Sequence, residues 1–170
     1  MDPEVLLCGT LRENELQNIV TPYQLTVITI ADDDILPGSF WGDPEAGLIG
    51  NRLYIRPTTP VQSALHEACH FICMDEARRS DLHTDAGGGY DEENSVCYLQ
   101  IILAKQLAQM GAYRMMQDMD RWGYTFRLGS AQKWFEEDAQ EARNWLIHHG
   151  VLDKSCQPSG NIRKQADKLT

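Results

Sequence analysis

Residues 23–31, Tyr-Gln-Leu-Thr-Val-Ile-Thr-Ile-Ala, alternate and are rich in β-branched side chains, and residues 52–56, Arg-Leu-Tyr-Ile-Arg, alternate again. Both predict strands, because period-two alternation turns one face of a strand to the core. Between them Asp32-Asp33-Asp34, Pro37-Gly38 and Gly42-Asp43-Pro44 predict an irregular loop. Its acidic triplet reads as a solvated turn, since three adjacent carboxylates cannot all point at one ion. After Arg56-Pro57-Thr58-Thr59-Pro60 the period changes, and Val61, Leu65, Cys69 and Ile72 fall on one face of a helix expected over about 60–78. Ser80 to Tyr90 contains Gly87-Gly88-Gly89 and predicts a flexible connection. Asp91 reads as the N-cap of a second, mostly buried helix, whose stripe Val96, Leu99, Leu103, Leu107 runs to Met110. Gly111 and Gly123 bracket a third, with Tyr113, Met116, Met119 and Trp122. A fourth opens near Gly129-Ser130, carries Trp134, Ala142, Trp145 and Leu146, and ends at His148-His149-Gly150. From Val151 the polar sequence with Pro158, Ser159 and Gly160 predicts a loosely ordered tail over 151–170. The sum is one α+β domain over 1–150, a small β-sheet packed beside a mainly helical bundle, without internal repeats.

Composition narrows the function classes. A chain of 170 residues, 42% hydrophobic and 24% charged, has the make-up of an ordinary soluble domain. No apolar run approaches the roughly 20 residues of a membrane span, and Met1-Asp2-Pro3-Glu4 has no secretory character, so a cytoplasmic protein without membrane partners is expected. The net charge of −10 opposes nucleic acid, whose binding draws on clustered Lys and Arg. Cys8, Cys69, Cys73, Cys97 and Cys156 are odd in number and irregular in spacing, which predicts thiols rather than disulfides. Cys69 and Cys73, four apart in an apolar helix, read as small core residues.

Chemistry concentrates in His66-Glu67-Ala68-Cys69-His70. Residues four apart share a helix face, so the two imidazoles can be directed at one point. They supply half of a tetrahedral site for a divalent ion, and imidazole donors suit zinc. Glu67 projects beside the first of them, where a carboxylate serves as general base toward water activated by the metal. The expected activity is therefore zinc-dependent hydrolysis of a peptide or protein substrate. The rival expectation is a binding or regulatory module with a structural metal and no peptidase activity.

The order strand, strand, motif helix, loop, acid-bearing helix resembles the zincin metallopeptidases, in particular their gluzincin branch, over about residues 23–110. Leu65-His66-Glu67 after a strand is similar to the small intracellular zincins of the phage-immunity regulator type. Those carry Glu followed at a fixed interval by Ala-Asn, where this chain compresses Asp91-Glu92-Glu93-Asn94. The longer metzincin signature is absent after His70. The resemblance implies a zincin-like fold and a third ligand on the first turn of the second helix, at Glu93 or Glu92. The Glu93 face continues through Cys97, Gln100 and Ala104, small or polar residues that permit close helix approach, whereas the Glu92 face continues through Val96, Leu99 and Leu103. That contrast favours Glu93. Asp85 is a more distant alternative, of the aspzincin type, and His83 or Tyr90 are candidates to stabilise an oxyanion.

Overall fold

A computed structural model of the chain describes residues 5–37, 46–80 and 88–164. The protein is α+β. A mixed three-stranded sheet in the order β1-β3-β2 joins β1 (Thr26–Thr29), β2 (Gly47–Ile49) and β3 (Arg52–Ile55). β1 runs parallel to β3 with Val27 opposite Leu53, and β2 runs antiparallel to it with Leu48 opposite Leu53. The two expected strands are β1 and β3. β2 was not expected, because three residues offer too little alternation to read, and pairing with β3 makes the strand. Asp32, Asp33 and Asp34 are exposed in a turn, and the Asp32 carboxylate accepts the Thr58 hydroxyl at 2.9 Å.

α1 (Glu15–Val20) precedes the sheet and buries Leu16, Ile19 and Val20. α2 (Val61–Cys73) is the motif helix, and it is buried almost all round between the sheet and other helices. It is shorter than the expected 60–78: Met74 is extended, and a separate α3 (Glu76–Ser80) follows. α4 (Tyr90–Ala104) packs on α2 more extensively than any other element and is buried continuously from Ser95 to Ala104. It ends before the expected Met110. α5 (Gly111–Trp122) buries Met115, Met116 and Met119, and Gly123 closes it at φ 101°. The expected fourth helix is two, α6 (Ala131–Glu137) and α7 (Gln140–His148), broken at Asp138 and Ala139. Ser130 caps α6 by accepting the Lys133 N–H.

Two terminal segments lock the motif helix. Val61 N–H donates to Leu6 C=O and Cys8 N–H to Thr59 C=O, each at 2.8 Å, while Leu6 N–H donates to the fully buried Asp118 carboxylate at 2.9 Å. At the other end the chain departs from the expected loose tail as far as residue 164. Val151 and Leu152 are buried, Arg163 N–H donates to Ile72 C=O at 2.8 Å, and the Arg163 guanidinium stacks on Trp145. A few well-placed backbone bonds order this segment despite its polar composition. Among the described residues, no helix is long and apolar enough to cross a membrane.

Candidate metal centre

α2 and α4 pack against each other, with Gln100 of α4 bonded to the Gln62 carbonyl and to His66 of α2, and His66, His70 and Glu93 meet there. The Nε2 atoms of the two histidines lie 3.1 Å apart. The Glu93 carboxylate spans them, with Oε1 at 3.1 Å from His66 Nε2 and Oε2 at 3.1 Å from His70 Nε2. Ligand distances of about 2.0–2.1 Å in tetrahedral zinc sites require donor-to-donor edges of roughly 3.3 Å. The separation of the two Nε2 atoms is close to such an edge, and one donor atom from each of the three residues lies within 4.8 Å of the others. Among the described residues, this is the group of three or more such side chains able to hold a metal ion. Its chemistry, two imidazoles and a carboxylate, suits zinc.

The three groups perturb one another's ionisation. Burial opposes ionisation of Glu93, but its hydrogen bonds to His66 and His70 outweigh that and hold its carboxyl well below the usual range. Burial also opposes a charge on His66, yet Tyr124, Cys97 and Glu93 around the ring hold its pKa well above the usual value. His66 Nδ1 lies 3.0 Å from Gln100 Oε1. His70 Nδ1 is buried and has no hydrogen-bond partner among the described residues.

Glu92 is not at this cluster. It is 6% exposed, and its carboxylate accepts from Arg78 Nη1 at 3.0 Å and from Arg163 Nη1 at 3.1 Å, a buried ion pair that fastens the start of α4 to α3 and to the C-terminal segment. Adjacent residues on a helix point about 100° apart, so Glu93 facing α2 turns Glu92 away from it. Gly88, at φ +102°, lies so close to Glu92 that a side chain there would meet the carboxylate. Glu67 is partly exposed on α2, next to His66. His83 and Asp85 lie outside the described residues. Tyr90 is 69% exposed at the first position of α4. The aromatic residue at the site is instead Tyr124, just past Gly123, whose ring meets His66 edge-on with centroids 5.4 Å apart. Burial pushes its phenol well above the ordinary pKa. No sequence signal marked Tyr124, because only the packing of α5 against α2 brings it there.

All five cysteines are free of disulfides, and Cys8, Cys69, Cys73 and Cys97 are buried. Burial pushes Cys8 up to about 12 and Cys69 well above the ordinary value, so both behave as core residues. Comparisons of the chain with protein-family models, curated proteins and solved structures find no match.

Proposed function

We propose that the chain is a zincin-like, zinc-dependent metallopeptidase in which His66, His70 and Glu93 hold the ion and Glu67 is the general base. The observation that carries this reading is the convergence of two imidazole nitrogens and one carboxylate, with donor atoms within 4.8 Å of one another, where the helix of the two histidines carries Glu67 directly after the first. Bound zinc supplies a Lewis acid that polarises a carbonyl and lowers the pKa of water toward about 7. The residues do the rest. Glu67 takes the proton from the attacking water and returns it to the leaving amine, so that peptide C–N cleavage needs no strongly basic group. His66 and His70 hold their nitrogens toward one point because α2 fixes both side chains on one face.

Two imidazoles and one carboxylate with a fourth position kept for water or substrate is a donor set of catalytic zinc sites, whereas a structural site would use four protein ligands. A cytoplasmic peptide or protein substrate is the matching partner, with basic segments favoured by the net charge of −10. The test is a screen of peptide and protein substrates with the parent and Glu67→Gln side by side, zinc content being measured on both. Turnover by the parent alone, at equal zinc content, supports the reading. Turnover by both removes Glu67 from its role, and zinc binding without turnover by either favours the binding or regulatory module.

A further inference from the structure

The side chain of Gln100 is fully buried on α4, on the face that carries Glu93; it hydrogen-bonds to the Tyr124 phenol, and its oxygen and nitrogen each have a further, distinct neighbour. Its Nε2 donates to the backbone carbonyl of Gln62 at 2.8 Å and lies 3.4 Å from the Met115 sulfur. Both of those atoms are acceptors, so the amide cannot be turned over: the flipped arrangement would set its oxygen against a carbonyl and a thioether with no proton between them. The amide oxygen therefore faces His66 Nδ1, at 3.0 Å. An amide oxygen only accepts, which requires a proton on Nδ1. Nε2 faces Glu93 and His70, and when an ion replaces the proton through which Nε2 meets the Glu93 carboxylate, a proton kept on Nδ1 leaves the Nε2 lone pair for the ion.

We propose that Gln100 is a positioning residue of the metal centre: anchored by the Gln62 carbonyl, its amide oxygen fixes His66 as the Nδ1–H tautomer and presents the Nε2 lone pair to the ion. This rests on the metal-binding reading above and deepens it by assigning the outer partner of one ligand. A histidine ligand that donates its second N–H to a fixed acceptor is held in both tautomer and ring orientation, and loss of such a partner typically costs about 10- to 100-fold in metal affinity. The acceptor is a neutral amide, so Glu93 is the sole anion of the three-donor group, and an ion held there keeps more of its positive charge than it would with a carboxylate behind His66.

Two variants of nearly the same volume separate the possibilities. Gln100→Met removes the acceptor. Gln100→Glu, protonated in its buried place, keeps a carbonyl oxygen toward His66 and a hydroxyl donor toward Gln62. The readouts are cobalt(II) affinity by optical titration and, in the zinc-loaded protein, the His66 tautomer by long-range proton–nitrogen NMR. The parent should show the Nδ1–H tautomer. Gln100→Met should lose that preference and bind cobalt at least about tenfold more weakly, while Gln100→Glu stays within about threefold of the parent. A parent in the Nε2–H tautomer overturns the assignment, and so does Gln100→Met with parental tautomer and affinity. If Gln100→Met does not fold, the parent and Gln100→Glu tautomers still decide. A parent that takes up no cobalt sinks the metal reading, whereas a parent that binds cobalt while Gln100→Met binds it equally well sinks only the role of Gln100.

Discussion

Glu92→Gln should destabilise the protein while leaving its metal content intact. Glu92 is 6% exposed and bonded to two guanidinium groups, Arg78 and Arg163, which hold α3 and the C-terminal segment against the first turn of α4. Removing one partner of a buried ion pair costs about 3–5 kcal/mol when the other charge is left stranded. Here the arginine side chains keep 30% and 23% exposure and can turn partly to water, and glutamine still offers one acceptor. We therefore expect a smaller loss of about 2–3 kcal/mol. In a chain of this size each kcal/mol moves Tm by about 2–4 °C, which gives a fall of about 4–12 °C. The assay is thermal and urea unfolding of chelated protein, run beside zinc titration of the same samples. Glu93→Gln serves as the contrast, with zinc affinity reduced about tenfold or more. If Glu92→Gln lost zinc while keeping parental stability, Glu92 would be the ligand and the assignment of the two neighbours would be reversed.

Glu67→Gln should retain about one zinc per chain and parental Tm yet lose hydrolysis, since the amide keeps the shape without the base; parental turnover would contradict it. The cluster should also give the metal-free protein a defined pH window. His66 is raised above its ordinary 6.5, so its contribution to stability is fully present below that pH and is lost as pH rises through the raised value. Glu93 is depressed below its ordinary 4.5, so its contribution is present above that pH and is lost as pH falls toward the lower value. Urea midpoints of chelated protein should decline on both sides of that window, and zinc affinity should climb with pH on the alkaline side as the ion displaces the His66 proton; a flat profile would refute the coupling.

What the sequence made legible was set by local pattern. β1, β3 and the start of α2 follow from period and from Pro60, and Gln100, on the Glu93 face of α4, bonds to His66 and to the Gln62 carbonyl of α2. What it hid depended on distant partners. α1 is six residues long and begins at Asn14 in a left-handed conformation, with no conventional N-cap to announce it. The break at Met74 sits where Arg79 and Arg163 bond to the carbonyls closing α2, an end set by side chains outside the helix. The same cause orders residues 151–164: Trp145 and Ile72 receive Arg163, and no composition rule anticipates that. Gln100 and Tyr124 escaped assignment because a glutamine on a buried face or a tyrosine after a glycine is unremarkable until its neighbours are known.

The central claim is that His66, His70 and Glu93 form one metal site, and metal stoichiometry after reconstitution tests it most directly. Parent protein, stripped with chelator, incubated with zinc and desalted, should carry about one zinc per chain by elemental analysis, while His66→Ala and His70→Ala, still folded by circular dichroism, should carry essentially none. A parent that takes up no stoichiometric metal, or histidine variants that retain it, would contradict the account.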